Sequence, residues 1–479
     1  MKKTLCLVLA LLMLILTMSG CKKTTGAETT GEGNNSVSAD MEGYPIDFSG
    51  KDYGGYEFTF LRYDTETARG WTGIPNDIFS ESTSADVLEN AVYRRNDEVE
   101  NMLGVKIGMK IYGSGLSTHL QQDCLSGTPS YDAVIQLTTY LYQLFNLGLI
   151  RDMSVLELDT SYDWWDKKSI DAFTVGGKTF GMVSDLTYID KLSTIGVFFN
   201  ISLAETLHTE NLFDLVDSGE WTYDTLVRYA KLATDSGEDV IGISCQNDAS
   251  YFFLHSANLK TVDKVNGKIE LLLDSKREIE VLQNIFTMMN DYYFFNRQKA
   301  GLDVTETVKK FAQNAENLFL IRPLQTYYNI KDYSNSYGIL PMPKYDSAVD
   351  DYYSSVNPFS AGTLCIPYTV DNTQRTADVL QAMGMVSRKE VMPLFYNTVL
   401  GARFAENEQC VRMLDIIFRN RIYDMGIIWN FGDIMKIIVQ SGDSLTTAAN
   451  TISSTVSGSR EKIRNAIDSF MTDVNNYKN

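Results

Sequence analysis

From Tyr56 onward the chain alternates between short apolar runs and amphipathic stretches, and this alternation is what most limits the folds open to it. Tyr56-Glu57-Phe58-Thr59-Phe60-Leu61 alternates with aromatics and reads as a strand. Ser84 to Leu103 carries Val87, Leu88, Val92, Val99 and Met102 at roughly helical spacing. Val105 to Ile111 and Tyr131 to Ile135 read as further strands, and Tyr140 to Gly148 as a helix. Later helices are expected over Thr222 to Thr234, with Thr222 as N-cap, and over Lys276 to Tyr293, Arg375 to Met385, Glu406 to Phe418 and Ser459 to Met471. Strand and helix in turn predict α/β architecture with a mainly parallel sheet.

The N-terminus stands apart from this pattern. Lys2 and Lys3 precede an apolar run from Leu5 to Met18, then Ser19-Gly20-Cys21. The run suits the core of an export signal and is shorter than the roughly 20 residues a bilayer-spanning helix needs. Met-Ser-Gly-Cys resembles a bacterial lipobox, which implies a signal peptide over 1–20 and lipidation at Cys21; ordinary secretion or a retained anchor is the alternative. Lys22 to about Gly43 is rich in Thr, Gly, Glu, Asn and Ser, too polar to fold, so 21–45 reads as a lipidated leash. The lipoprotein cysteine carries at least two acyl chains, enough for stable anchoring.

What remains, roughly 435 residues, exceeds a single core and predicts two lobes. The net charge is −19, and loss of Lys2 and Lys3 with the leader makes the body more acidic still, which disfavours nucleic acid and anionic surfaces. Cys124, Cys245, Cys365 and Cys410 could pair in three ways or stay free; so large a body does not need staples, and Cys245 and Cys365 lie in apolar runs.

Several segments resemble a known family, the extracellular solute-binding proteins that feed ABC importers, in particular the family-1-like lipoproteins of Gram-positive bacteria. They include Asn90-Ala91-Val92-Tyr93-Arg94-Arg95-Asn96, Tyr131-Asp132-Ala133-Val134, Gly176-Gly177-Lys178-Thr179-Phe180-Gly181 and Phe198-Phe199-Asn200. Gly219-Glu220-Trp221-Thr222, Tyr337-Gly338-Ile339-Leu340-Pro341-Met342-Pro343-Lys344 and Arg421-Ile422-Tyr423-Asp424 continue the series. The resemblance implies a two-lobed, type II periplasmic-binding-protein fold with hinge crossovers and a ligand cleft between the lobes. On that pattern lobe 1 takes 46–187 with 346–385 and lobe 2 takes 188–345 with 386–479, and Phe180 to Ile189 and Tyr337 to Lys344 carry hinge strands. Pro341 and Pro343 suit a stiff crossover, or alternatively end an ordinary edge strand.

The same resemblance implies a small neutral solute, an oligosaccharide above all, handed to ABC permease subunits by a monomer that meets the membrane only through its lipid anchor and uses no cofactor. Sugar recognition needs aromatic faces and planar polar groups. With 27 Tyr, 23 Phe and 5 Trp the chain can supply the faces. Ligand sites in open α/β sheets lie beyond the carboxyl ends of strands, which makes Arg62, Asp64, Trp71, Thr138, Thr139 and Tyr140 candidates, with Thr138 alternatively capping the next helix. Asp185 in the first crossover, and Tyr251 and Arg322 in the second lobe, are further candidates. Trp429 reads as a stacking lid or as core. One of Trp164 and Trp165 should pack and the other be exposed, and Trp221 should staple the helix after it.

An enzyme leaves little trace. None of His119, His208 and His255 lies in HExxH, and no GxSxG, P-loop, GxGxxG or EF-hand motif is present. A glycoside hydrolase needs only two carboxylates, and 61 acids hide any pair. A lipid-anchored glycan hydrolase, or an adhesin-like glycan-binding protein, is therefore the rival expectation.

Overall fold

The computed structural model describes residues 44–478 apart from 65–73, 75, 82–83, 114, 128, 297–299, 302–303, 315, 334–335, 400–407 and 442–447. The expected signal peptide (1–20), the lipidated Cys21, nearly all of the leash and Trp71 lie outside the described residues.

The first sheet begins with β1 (Tyr56–Tyr63), β2 (Val105–Tyr112) and β3 (Ala133–Leu137). β1 lies between the other two and is parallel to both. The parallel return from β1 to β2 runs through α1 (Val87–Leu103), which starts where Asp86 accepts from the N–H groups of Leu88 and Glu89. It stops at Gly104, whose φ of 61° is the left-handed conformation that glycine adopts without a Cβ penalty. After β3 come a single 3₁₀ turn, Thr138–Tyr140, and α2 (Leu141–Asn146).

The chain then leaves this sheet. Met182 still pairs with Leu364 at its edge. Beyond it a short helix, α3 (Ile189–Leu192), leads into β4 (Ile195–Asn200) of a second sheet. That sheet adds β5 (Ile241–Cys245), β6 (Phe294–Asn296), β7 (Asn317–Pro323) and β8 (Tyr337–Leu340), in the order β6-β5-β7-β4-β8. β5, β6 and β7 are parallel, whereas β4 runs antiparallel to both neighbours. The sheet is mixed because β4 enters from the other lobe instead of from a βαβ return. Its helices include α4 (Tyr223–Thr234), capped by Thr222 as expected, α5 (Ala249–Ser256) and α6 (Lys276–Met289), which ends before Tyr293. A further short helix, α7 (Thr326–Ile330), follows β7.

The return passes through β9 (Ser354–Ser355) to β10 (Gly362–Cys365), which pairs antiparallel with β3 and completes the first sheet as β10-β3-β1-β2. α8 (Thr373–Val386) follows, then α9 (Glu408–Arg419) and β11 (Arg421–Ile422), a two-residue strand paired with β9. α10 (Met425–Trp429) and the long α11 (Ala448–Asn476) close the described chain. The architecture is thus α/β and two-lobed, with a sheet in each lobe and segments 182–195 and 341–361 crossing between them.

Three local expectations need correction. β8 is the edge strand of the second sheet and stops at Leu340, so Pro341 terminates an edge strand and the segment carries no hinge strand. Trp164 and Trp165 are both buried: Trp164 stacks on Tyr162 with centroids 4.3 Å apart, and Trp165 Nε1 donates to Gln381 Oε1 at 2.8 Å. The last helix is far longer than Ser459 to Met471. Trp221 is core, its Nε1 donating to Pro341 O at 2.9 Å. The four cysteines are free thiols. Among the described residues no helix is long and apolar enough to cross a membrane.

Candidate functional site

The carboxyl ends of the parallel strands carry polar groups in both lobes. In the first, Asp64 follows β1 half-buried, its N–H donating to Tyr112 O at 2.9 Å. Tyr140, beyond β3, is 44% exposed, an aromatic face free on the surface. Arg62 is buried and paired with Asp77, which also accepts from the Thr187 hydroxyl. Thr138 caps nothing: its hydroxyl donates to Ala361 O at 3.1 Å and lies 2.7 Å from Thr363 Oγ1, tying β3 to β10. Thr139 is half-buried, and its N–H donates to Pro358 O at 3.2 Å.

In the second lobe the ends of β5 and β7 meet. Arg322 Nη1 donates to Gln246 Oε1 at 2.7 Å, and Gln246 Nε2 donates to Asp248 Oδ2 at 2.6 Å. The amide relays a cation to a carboxylate at one remove, fixing the guanidinium and offsetting its charge. Asn296 at the end of β6 donates to Asn247 Oδ1 beside them. Sequence reasoning named Arg322 but not its neighbours Gln246, Asp248 and Asn296, although the strand-end rule that selected Thr138 selects these equally.

Three candidates are occupied by the protein itself. Asp185 is held by Lys191 Nζ at 2.9 Å and Arg388 Nη1 at 3.1 Å, a buried ion pair in place of a hydroxyl acceptor. Burial opposes the Lys191 charge, but Asp185 and Asp190 together outweigh it and push its pKa up. Tyr251 is fully buried, with its hydroxyl on Asn357 Oδ1 at 3.1 Å. Trp429 is core rather than lid: it is 0% exposed, 4.7 Å from the Phe470 ring and in edge contact with Phe145 and Phe180.

Where β7 ends against the first crossover, a different set of groups is open. Gln325 N donates to Leu192 O at 2.8 Å, and Asn357 N donates to Ser193 O at 2.9 Å, so both crossovers and β7 converge here. Ser193 Oγ, Gln325 Oε1, Thr326 Oγ1 and Tyr328 Oη are buried with no hydrogen-bond partner among the described residues. Burial pushes the Tyr328 hydroxyl well above its ordinary pKa, with Asp86, Tyr327 and Asp77 adding to the shift. A buried polar group without a partner costs stability, about 1–3 kcal/mol each.

One constellation invites a catalytic reading and does not support it. Ser355 Oγ lies 2.6 Å from His255 Nδ1, and Asp424 Oδ2 lies 3.1 Å from Nε2. A hydrolytic triad uses the opposite ring nitrogens, and here all three residues are buried. Asp424 instead caps α10 through Gly426 N at 2.8 Å and accepts from Thr261 N at 2.6 Å and Thr261 Oγ1 at 2.7 Å. Burial raises its pKa, but the donors from His255 and Thr261 outweigh burial and hold it below the usual carboxylate value. A depressed native pKa stabilises the fold above the unfolded-state value, about 3.9, and that stabilisation is lost as pH falls through the native value. Asp424→Asn should therefore lower stability at pH 7 and shrink the stability lost between pH 5 and pH 2, as urea titrations at each pH will show. An unchanged acid limb would mean that other carboxylates govern it.

Solved structures now bear on the arrangement. A cyclo/maltodextrin-binding protein solved with maltotetraose superposes with a TM-score of 0.58 at 15% identity, covering 86% of this chain and 99% of that one. The fold is that of the ABC substrate-binding proteins. Two more with this substrate-binding fold are an ABC transporter solute-binding protein from Thermotoga lettingae bound to α-D-tagatose and an ABC substrate-binding protein from Listeria monocytogenes in complex with cycloalternan. The first has a TM-score of 0.56 at 13% identity over 86% of this chain and 100% of that one. The second has a TM-score of 0.50 at 16% identity over 88% and 100%. No family model matches the sequence, and no curated protein matches it. These structural neighbours are binding proteins rather than enzymes.

Proposed function

We propose that this protein captures a small neutral solute, an oligosaccharide, between its lobes and delivers it unchanged to the permease subunits of an ABC importer. The observation that carries this reading is the division of polar groups at the lobe junction. Charged side chains there are already paired: Arg62 with Asp77, Arg322 through Gln246 with Asp248, Asp185 with Lys191 and Arg388. Beside them lie buried hydroxyls on Ser193, Thr326 and Tyr328 and the amide oxygen of Gln325, neutral groups with no partner among the described residues. Such a set suits the hydroxyls of an uncharged sugar, whereas an anion would call for free cations. The neighbours with this fold hold cycloalternan, maltotetraose and tagatose, all neutral carbohydrates.

In this reading Tyr140 offers the stacking face on the first lobe, with Asp64, Thr139 and Trp71 close in sequence to the same strand ends, and Arg322 meets hydroxyls from the second lobe. Lipid on Cys21 would hold the protein, as a monomer, at the outer membrane face beside the permease.

The test is a panel of linear maltooligosaccharides, cyclodextrins and monosaccharides, scored by melting temperature and by product analysis of the recovered sugar. A ligand at 100 times its Kd should stabilise the fold by about 2.7 kcal/mol, with no conversion. Released reducing ends would establish the hydrolase instead. Tyr140→Ala should weaken binding of the best sugar by about 1–3 kcal/mol with little change in unliganded stability, measured by calorimetry. Equal affinity in that variant would remove Tyr140 from the site.

A further inference from the structure

The second crossover is gripped from both sides, and the grip changes hands at one residue. On α5, Tyr251 and His255 lie one turn apart and share a helix face. Across from them Ser355 and Asn357 are two apart on an extended segment, so they share a side. Tyr251 Oη donates to Asn357 Oδ1 at 3.1 Å, and His255 Nδ1 lies 2.6 Å from Ser355 Oγ. His255 Nε2 must be the protonated nitrogen, because its partner, the Asp424 carboxylate, only accepts. Val356 N donates to Ile422 O at 3.2 Å, which extends the β9–β11 pairing to the residue before Asn357. Up to Val356 the crossover is therefore held by α5 of the second lobe and by β11, which is itself tied to Asp166 of the first lobe through Arg421 and Tyr423.

From Pro358 onward the carbonyls are anchored by the first lobe. Pro358 O accepts from Thr139 N at 3.2 Å, Ser360 O from Tyr63 Oη at 3.0 Å, and Ala361 O from Thr138 N at 3.0 Å. Asn357 is the residue shared between the two grips. Its Oδ1 accepts from Tyr251 on one side and from Phe359 N, at 3.0 Å, on the other. Its carbonyl closes the 357–361 turn by accepting from Ala361 N at 2.8 Å. Its N–H reaches Ser193 O of the first crossover, so the two crossovers touch at this point.

The first crossover divides at the same height. Asp185 N donates to Trp164 O at 2.8 Å and Leu186 O accepts from Arg95 Nη1 at 2.9 Å, both in the first lobe. Leu192 O and Thr194 O accept from Gln325 N and Leu324 N of the second lobe, at 2.8 and 2.9 Å. A cavity of ≈ 10 Å³, room for about one water molecule, adjoins Val356, Pro358, Ala361 and His255. Close-packed interiors resist small displacements, and here the packing leaves slack.

We propose that Asn357 is the pivot of lobe rotation in the second crossover, and that Tyr251 and His255 are positioning residues that fix the second-lobe side of it. The proposal rests on the reading that the lobes move to capture a solute. It puts the working border between the lobes at Asn357 and not at 345/346. One side-chain oxygen serving both grips lets the turn swing about residue 357 without releasing either, a hinge at an element terminus.

Pulsed electron spin resonance without ligand tests this on the full mature chain. Spin labels at Ile111→Cys and Leu232→Cys, both exposed and one on each lobe, report the interlobe distance in a Cys124→Ser background. Tyr251→Phe and Asn357→Ala should broaden the distance distribution at least 1.5-fold, Asn357→Asp, which keeps the shared acceptor, should restore the native width, and Ala361→Val, filling the cavity, should narrow it. A merely structural role would lower melting temperature in these variants and leave the width alone. Native widths in both Tyr251→Phe and Asn357→Ala, or a broadened Asn357→Asp, would overturn the pivot. Because no sugar is present, failure of the sugar panel would bring down the cargo reading and leave this measurement standing.

Discussion

Replacing Arg421 with Met should cost about 3–5 kcal/mol of stability, the penalty for stripping one partner from a buried ion network. Arg421 sits in β11, and its guanidinium bridges two carboxylates from different places, Asp166 at the start of the helix 167–173 in the first lobe and Asp190 in the first crossover. Asp190 is completely buried, so the substitution leaves a charge with only Lys191, 3.3 Å away, to answer it. Burial works against the Arg421 charge, yet Tyr423, Asp166 and Asp190 outweigh it and push its pKa up. Arg421→Lys should lose an intermediate amount, since an ammonium cannot span two carboxylates as the planar fork does. Adding Asp190→Asn to Arg421→Met should recover part of the loss, a coupling that a double-mutant cycle in urea will measure. A loss under 1 kcal/mol in the single variant would mean that water already screens the pair.

Trp429→Ala should be comparably severe, about 3–5 kcal/mol, and should leave sugar affinity unchanged where both proteins are folded. The ring closes a cluster with Phe145, Phe180, Phe431 and Phe470, elements that lie far apart in sequence. Its indole N–H donates to Ala172 O at 3.3 Å, so truncation also strands that carbonyl. Trp429→Phe should recover most of the packing and little of the hydrogen bond. Thermal melts followed by calorimetry at a temperature below both transitions separate the two effects. Weakened binding with intact stability would restore Trp429 to the cleft.

Local pattern carried the elements and failed on their partners. β1, α1, β2 and β3 are legible because period-2 and period-3.6 spacing report which face is buried, and the Asp86 and Gly104 caps merely sharpen the ends. The antiparallel direction of β4 was not legible, because Ile195–Asn200 is buried throughout and the apolar run 195–199 is silent on strand direction. In the candidate site, the strand-end rule picks out strand ends but cannot separate Tyr140, which faces solvent, from Arg62 and Thr138, whose side chains the protein keeps for itself. That distinction depends on tertiary partners that spacing does not reveal, such as Asp77 for Arg62 and Ala361 for Thr138. Asp185 is illegible on the same ground, since Lys191 reaches it from a crossover and Arg388 from the π-helical stretch Ser387–Val391 that continues α8. Trp429 was undecidable from Ile427-Ile428-Trp429, because a lid and a core residue have the same apolar flanks.

β10 also bears on how the polypeptide reaches its native state. Its residues Leu364 and Cys365 pair with Ile135 and Val134, about 230 residues earlier, and they seal the rim of a sheet that begins at Tyr56. Contacts of such long range are entropically late to form, so the early portion has no finished edge until this strand arrives. The sheet of the first lobe is therefore complete only once residues 362–365 have joined it.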